Sequence, residues 1–479
     1  MDKKYDAVIN EWIEENKDEI ISEWIRLCKI PAIKGEAKEN APFGEDCAKG
    51  LEECTKMFEK RGYDAKIYSD DGYSLVESGK GEKTIGIFAH SDVVPVGEGW
   101  IFTQPFDPIV KDGVLIGRGV QDNKSGVMAS LCAMEIIKKY NIPIKSRLQL
   151  FIGSNEESGM KDIEAFAKNQ PMPDISIIPD ANFPCGTGEK GICHMYAKSD
   201  AKLLGIVDFC GGEAFNVVLD KAEVKIKKTD KLSAEIDEKL KSEENITKRE
   251  ENEFVVLVGK GVAKHASMPE NSVNAAYVLA SFLSNIEALD ENDRKVMRSA
   301  AHILSCPFGT SLGIDFCDDL FGKLTFANGM VKLQDGKLWL SFDMRYSSAL
   351  DSEDLLKRTE KALKTLEWGM EIKENKPGFS IDESSKIPAL FEEAFYAVTG
   401  FDRKGFRMGG GTYARYLKNA FSIGTYAKTT DSAPLAFEMP AGHGGPHQCD
   451  EMIVLDEFFT AVKIMVYYLI AADEDINRI

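Results

Sequence analysis

Histidine and long apolar runs are both scarce in this chain of 479 residues. A metal or acid–base site that uses imidazole must draw on six residues: His90, His194, His265, His302, His443 and His447. No apolar run approaches the ~18–20 residues that a membrane helix needs. The N-terminal segment is charged and lacks the apolar stretch and cleavage site of a signal peptide. We therefore expect a cytoplasmic protein that does not span a membrane.

Paired cysteine motifs and surplus positive charge are also missing. The ten cysteines form no CxxC pair and are irregularly spaced, which argues for free thiols rather than a disulfide framework. The net charge of −19 repels phosphate backbones and argues against nucleic-acid binding. The length implies two or three domains, and the 43% apolar content is enough to build their cores.

Strand and helix patterns alternate in the first part of the chain. Short apolar segments at 84–90, 147–157 and 174–181 resemble strands, and 5–28 and 125–140 have the spacing of amphipathic helices. Such alternation predicts an α/β fold with a mostly parallel sheet covered by helices. Ligand sites on such sheets form at the carboxyl ends of the strands.

The composition changes near residue 185. A strand at 253–261, a helix at 274–286 and a hairpin at 331–346 turning at Asp335-Gly336 predict a separate α+β unit over 190–380. Residues 219–253 are dense in Lys and Glu, and this composition favours a solvated helix or surface excursion.

Polar residues with metal-binding side chains follow the predicted strands. Each is weak evidence alone, because Asp122 could cap a helix and Glu156-Glu157 could be an exposed acidic turn. Together they repeat one pattern that suits two divalent ions sharing a carboxylate and a water, with one glutamate left as a base. The residues are His90, Asp92, Asp122, Glu156, Glu157, Asp180 and His447.

An ordered set of motifs resembles the PepV-like dipeptidases. This group belongs to a co-catalytic zinc superfamily that includes aminoacylases, glutamate carboxypeptidases, desuccinylases and carnosinases. The motifs run through nearly the whole chain and include HSDVVP (90–95), DGVLIGRGVQDNKSG (112–126), SNEESG (154–159), IPDA (178–181), GKGVAKHASMPENSVNAA (259–276), DMRY (343–346), GGGTYAR (409–415) and PHQCDE (446–451).

The resemblance implies a role for each candidate metal ligand. His90, Asp122 and Asp180 would hold one ion, and Asp122, Glu157 and His447 would hold the other, with Asp122 bridging. The two divalent ions would be zinc, with manganese or cobalt as alternatives.

The resemblance also implies the catalytic and substrate-binding groups. Asp92 would orient His90, Glu156 would be the general base, and His265 would stabilise the oxyanion. A second set, Asn216, Arg345 and Gly411, would hold the substrate's terminal carboxylate.

The same family implies a discontinuous catalytic domain, 1–185 with 381–479, and a lid domain over 186–380. A large lid limits substrate length, so dipeptides are the expected substrates and a monomer is the expected state. Asp180 favours a dipeptidase, because a glutamate at that position is typical of the carboxypeptidases and deacylases in this superfamily.

Several alternatives remain open from the sequence. His443 and Cys449 lie near the His447 position, and Asn123 stands where relatives often carry Asp or Met. His265 could be a plain loop residue, Arg345 could pair with Asp343, and the GGGT segment could cradle phosphate. The competing functions are an amidohydrolase that removes acyl groups from amino acids and a non-catalytic metal-binding protein.

Overall fold

The chain folds into two compact units. The computed structural model describes residues 3–382 and 384–478. The first unit comprises 1–187, 381–406 and 412–479, and the second comprises 188–380 and 407–411. The short segment 407–411, which contains Gly411, thus belongs to the second unit, whereas the sequence prediction assigns it to the catalytic domain.

Six of the described α-helices belong to the first unit and four to the second. Those of the first unit are α1 (Asp6–Cys28), α2 (Glu45–Glu59), α3 (Lys124–Lys139), α4 (Lys161–Asn169), α9 (Ile387–Thr399) and α10 (Leu455–Ile476). Those of the second are α5 (Asp230–Lys239), α6 (Ala275–Ser284), α7 (Glu291–Leu304) and α8 (Ser352–Thr365). Within the described residues, no helix combines the length and apolarity needed to cross a membrane.

The described strands are divided between the two units. The first unit contains β1 (Asp64–Tyr68), β2 (Tyr73–Ser78), β3 (Thr84–His90), β4 (Ile109–Lys111), β5 (Val114–Ile116), β6 (Arg147–Gly153), β7 (Ile175–Ala181), β22 (Ala420–Gly424) and β23 (Met452–Val454). Strand β8 (Gly186–Glu189) leads into the second unit, and β21 (Phe406–Met408) leads into it again.

The other strands belong to the second unit. They are β9 (Gly191–Ser199), β10 (Ile206–Gly211), β11 (Lys221–Lys227), β12 (Ile246–Glu251), β13 (Phe254–Lys260), β14 (Cys317–Asp318), β15 (Gly322–Lys323), β16 (Thr325–Ala327), β17 (Val331–Gln334), β18 (Lys337–Tyr346), β19 (Trp368–Lys376) and β20 (Phe379–Ser380).

The main sheet of the first unit has a parallel centre. From the β1 edge its order is β1-β2-β6-β3-β7-β22, and β8 follows as an antiparallel neighbour of β22. Strand β3 pairs in parallel with β6 and β7, β7 pairs in parallel with β22, and β1 and β2 form an antiparallel edge. Strand β3 is buried along its whole length, as expected for a central strand between helical layers. The predicted α/β fold with a mostly parallel sheet is confirmed, and the ends of β3, β6 and β7 lie along one edge.

The second unit is built on an antiparallel sheet of order β12-β13-β11-β10-β17-β18-β9-β19. The predicted hairpin is present as β17 and β18, and its turn residues Asp335 and Gly336 both have positive φ. Positive φ at both central positions is the requirement of a type I′ turn.

The expectation of a solvated helix or surface excursion at 219–253 is wrong for most of that segment. The chain there forms β11, α5 and β12. In β11, Ala222, Val224 and Ile226 are buried while the Lys and Glu residues between them are more exposed. The charged residues therefore occupy one face of a strand whose other face belongs to the core.

A core residue from this charged segment should matter for stability. Ile236 of α5 is fully buried, so Ile236→Ala should lower the free energy of unfolding by about 2–5 kcal/mol. The exposed neighbour Glu238 provides the control, because Glu238→Ala should change it by less than about 0.5 kcal/mol. Denaturant unfolding measures both values. Equal stability of the two variants would contradict the packing of this segment.

Candidate metal centre

The first group of possible ligands meets at the end of β3. His90 Nε2 lies 3.3 Å from Asp122 Oδ1 and 3.6 Å from Asp180 Oδ2. His90 ends β3, Asp180 lies near the end of β7, and Asp122 lies in the loop before α3. The ligand atoms of the three residues all lie within 4.8 Å of one another.

A second group shares Asp122 with the first. His447 Nε2 lies 3.0 Å from Asp122 Oδ2 and 3.2 Å from Glu157 Oε2. Asp122 thus turns one oxygen towards His90 and the other towards His447, which is the arrangement of a bridging carboxylate. The five candidate ligands, far apart in the chain, are brought together in the first unit.

The alternative role of Asp122 as a helix cap does not fit this geometry. Helix α3 begins at Lys124 with Asn123 as its N-cap residue, and the Asn123 side chain makes no capping hydrogen bond. The Asp122 carboxylate instead lies between the two histidines.

The unpartnered atoms of the cluster suit divalent cations. His90 Nε2 and Glu157 Oε1 are buried and have no hydrogen-bond partner among the described residues. Buried polar atoms are normally satisfied, and imidazole nitrogen with carboxylate oxygen is a donor set for zinc, manganese or cobalt. The residues present therefore fit a pair of divalent ions.

The electrostatics of the cluster show an excess of negative charge. Hydrogen bonds with Asp122 and Glu157 raise the pKa of His447 to about 11. Burial raises the pKa of Glu157 to about 7, and the nearby Asp122 charge adds to this effect. Burial also opposes ionisation of Asp122, but the neighbouring imidazoles of His447 and His90 outweigh it and lower its pKa. Without metal, the two histidines supply the positive charge that the carboxylates require.

Glu156 lies beside both groups but belongs to neither. Its carboxylate forms no ion pair or hydrogen bond with the described residues. Burial raises the pKa of Glu156 well above its ordinary value, and the negative charges of Asp180, Glu157 and Asp122 act in the same direction. A carboxyl group with a raised pKa and no ligand role is suited to proton transfer.

Asp92 contacts both His90 and the Glu156 loop. His90 Nδ1 lies 3.1 Å from the backbone oxygen of Asp92 and 3.4 Å from its carboxylate. The two carboxylate oxygens accept hydrogen bonds from the backbone amides of Glu156 and Glu157, at 3.1 and 3.2 Å. Asp92 therefore fixes the loop that carries both glutamates as well as facing the histidine.

Asp162 is a positioning group that the sequence analysis missed. Its buried carboxylate accepts hydrogen bonds from the amides of Ser154 and Asn155, each at 2.8 Å, and from the Tyr413 hydroxyl at 2.6 Å. Asp162 lies in the first turn of α4, where an acidic residue is ordinary. No sequence signal separates it from a residue that simply complements the helix dipole.

Glu451 organises the loop that carries Asp122. Its fully buried carboxylate pairs with Arg118 at 2.7 Å and accepts the amides of Gly119, Gln121 and Asp122 at 2.8–3.0 Å. Because Glu451 follows His447 by four residues, one short segment supplies a candidate ligand and also fixes the loop of the bridging carboxylate.

The side chain of Asn123 links the two halves of the cluster. Its Nδ2 donates to Asp180 Oδ1 at 2.8 Å and to the Pro179 carbonyl, and its Oδ1 accepts from the amide of His90 at 3.3 Å. An ionised Asp could accept in this position but could not donate to Asp180.

The side chains of His443 and Cys449 contact groups outside the candidate metal centre. His443 Nδ1 lies 2.6 Å from the carboxylate of Asp450, and Cys449 Sγ lies 3.1 Å from the Glu98 carbonyl oxygen. Neither residue belongs to the two groups of possible ligands among the described residues.

The other predicted site residues all lie in the second unit. Asn216 and His265 are neighbours, since the Asn216 carbonyl accepts the Ala266 amide at 2.8 Å and His265 pairs with Val217 in an isolated bridge. His265 Nδ1 lies 2.7 Å from the Ser267 hydroxyl. Arg345 Nη1 donates to the Gly409 carbonyl at 3.1 Å, two residues before Gly411. The pairing of Arg345 with Asp343 that the sequence left open is present, at 2.6 and 2.8 Å.

Removing the charge of Glu451 should weaken metal binding without touching a ligand. Glu451→Gln leaves the Asp122 loop without its charged acceptor, and loss of such outer contacts typically costs 10–100-fold in metal affinity. The exposed Glu438 offers a control with the same chemical change. Metal titration of both variants, with circular dichroism to verify folding, measures the effect. Unchanged affinity in folded Glu451→Gln would contradict this role.

Comparisons with known proteins show which family the chain belongs to. Proteins named putative dipeptidases from Staphylococcus aureus strains bovine RF122 and USA300 are 29% identical over 471 residues, covering 95% of this chain and 97% of theirs. The fold is similar to the dipeptidase Dug1p of Saccharomyces cerevisiae (TM-score 0.61, 15% identity) and to human carnosine dipeptidase 1 (TM-score 0.61, 13% identity), each alignment covering 98% of both chains. The model of peptidase family M20/M25/M40 matches residues 86–471. The chain therefore belongs to peptidase family M20/M25/M40.

Proposed function

We propose that this protein is a metal-dependent dipeptidase that hydrolyses dipeptides with a free amino terminus and a free carboxylate. The observation that carries the proposal is Asp122, which faces a histidine–carboxylate group with each of its oxygens while Glu156 stays uncommitted beside it. The Staphylococcus aureus relatives named putative dipeptidases, with the two structurally similar dipeptidases, favour dipeptides over N-acyl amino acids.

The proposed ligands are His90, Asp122 and Asp180 for one ion, and Asp122, Glu157 and His447 for the other. We propose zinc as the native ion, with manganese or cobalt as alternatives. Bound divalent ions would polarise the scissile carbonyl and lower the pKa of a water molecule.

The chain's own groups would then move protons and balance charge. Glu156 would accept a proton from the attacking water and deliver it to the departing amine, a role that its raised pKa supports. Asp92 would keep Glu156 in place through the backbone amide that it accepts. His265 would donate to the negative charge that develops on the carbonyl oxygen.

Recognition of the terminal carboxylate is assigned to Asn216, Arg345 and Gly411. The guanidinium of Arg345 is held on one edge by Asp343, and its remaining donors suit a planar carboxylate. We further propose a cytoplasmic monomer whose second unit acts as a lid. The ten free cysteines support a reducing compartment.

Glu156 and Glu157 are adjacent, so the same substitution at each position separates a loss of proton transfer from a loss of metal binding. Glu156→Gln should lower kcat by about 10²–10⁴-fold and keep both ions, because it removes only the proton acceptor. Glu157→Gln should lose one ion, because it removes a ligand. Metal analysis and turnover of a dipeptide should be measured on both variants and on wild type before and after chelation. Equal metal loss in the two variants, or full activity after exhaustive chelation, would refute the assignment.

The substrate class is tested by changing the chemical group at each end of the substrate. Wild type should cleave free dipeptides much faster than dipeptide amides or N-acyl amino acids. Arg345→Lys should raise KM for dipeptides by about 10–100-fold, because Lys retains the charge but loses the fork of donors. Lys is preferred to Ala here because Ala would leave the buried Asp343 unpaired. Faster cleavage of N-acyl amino acids would favour the amidohydrolase, and equal cleavage of amides would refute carboxylate recognition.

A further inference from the structure

The second unit contains a buried cation that the proposed site does not use. Lys190 is 6% exposed, and its Nζ donates a hydrogen bond to the backbone carbonyl of Lys323. It forms no ion pair with the described residues. Burying an ammonium group without a counter-ion is costly, so its charge needs an anion.

Lys190 and Arg345 lie against the same short segment. The Lys190 amide donates to the Met408 carbonyl at 2.9 Å, and Arg345 Nη1 donates to the Gly409 carbonyl at 3.1 Å. Lys190 immediately precedes β9, in which Ile192 is the register partner of Arg345. The backbone of Lys190 and the guanidinium of Arg345 therefore both contact segment 407–411, where a Cβ on Gly410 would have nothing within 4 Å.

Arg345 by itself supplies hydrogen-bond donors but little net charge. Its Nε and Nη2 are bound by the two oxygens of Asp343, so the pair is close to neutral. Of the five N–H donors of a guanidinium, three are committed, to Asp343 and Gly409, and one remains on each terminal nitrogen. A ligand carboxylate placed there could accept hydrogen bonds from these two donors. The nearly neutral pair of Arg345 and Asp343 would attract its negative charge only weakly.

Lys190 supplies the missing charge. Burial lowers the pKa of the Lys190 ammonium and the Arg345 guanidinium adds to this effect, whereas Asp318 and Glu270 oppose it. The Asp318 carboxylate is itself occupied by the Ser347 hydroxyl and by the amides of Leu320 and Phe321. Asp343 is paired with Arg345, and no carboxylate of the described residues lies within ion-pair distance of the Lys190 ammonium, so this cation can still pair with an anionic ligand.

We propose that Lys190 binds the terminal carboxylate of the substrate together with Arg345, Lys190 providing charge and Arg345 providing directed hydrogen bonds. The inference rests on the proposed dipeptidase function and adds a residue that selects substrates with a free carboxylate.

The test replaces Lys190 by the apolar side chain closest to it in shape. Lys190→Met should raise KM for a free dipeptide by about 10–100-fold and change kcat much less, since the lost contact is charge-assisted. KM for the corresponding dipeptide amide should stay within about twofold of wild type. Lys190→Arg should restore most of the dipeptide KM. Lys198→Met, on the same strand β9 and with the same change in charge, should behave as wild type.

Equal effects on the dipeptide and its amide, or no effect on either, would overturn the proposal. Failure of the dipeptidase function itself is distinguished by calorimetry on the metal-loaded protein with leucine and leucinamide, which requires no turnover. Weaker leucine binding by Lys190→Met with unchanged leucinamide binding supports the role of Lys190. Identical leucine affinities in Lys190→Met and wild type overturn it.

Discussion

The candidate metal centre depends on backbone amides donating to three buried carboxylates that are not themselves candidate ligands. Asp92 holds the amides of Glu156 and Glu157, Asp162 holds those at the end of β6, and Glu451 holds those of the loop before α3. A hydrogen bond to a charged group contributes about 1.5–3 kcal/mol, and loss of one partner leaves a buried charge unsatisfied. These loops therefore have one favourable arrangement, and in that arrangement five candidate ligands meet.

This mode of support also explains the electrostatic character of the site. Because the supporting carboxylates are buried, water does not solvate their negative charge, and the candidate ligands add further negative charge. Burial raises the pKa of Asp162 to about 6, with the Asp92 charge acting in the same direction. Hydrogen bonds to carboxylates likewise raise the pKa of His447. A divalent ion would replace the protons on the histidines and satisfy the surplus of negative charge, so rigidity and affinity for cations have one physical origin.

The sequence predicts the parts of this arrangement that follow from strand periodicity. Apolar runs locate β3, β6 and β7, and polar residues at their ends identify His90, Glu157 and Asp180. Spacing cannot choose between His443 and His447, because the choice depends on Asp450 lying against His443. It also cannot identify Asp162, because an acidic residue in the first turn of a helix is ordinary and its partner Tyr413 lies 251 residues further along the chain. In β11 the alternation of Ala222, Val224 and Ile226 is visible, but the dense Lys and Glu between them suggests a solvated segment.

The two units have opposite charge imbalances, and in each unit buried carboxylates fix the geometry of neighbouring groups. In the first unit, buried carboxylates outnumber the cationic groups beside them, and bound divalent cations would balance the remaining negative charge. In the second, Asp343 neutralises Arg345 and fixes its orientation, which leaves the ammonium of Lys190 without a counter-ion among the described residues. An orienting carboxylate thus improves the geometry of a guanidinium but removes its net charge, so strong anion binding requires another cation nearby. A free carboxylate on a ligand would satisfy the deficit of the second unit, and every free dipeptide carries one.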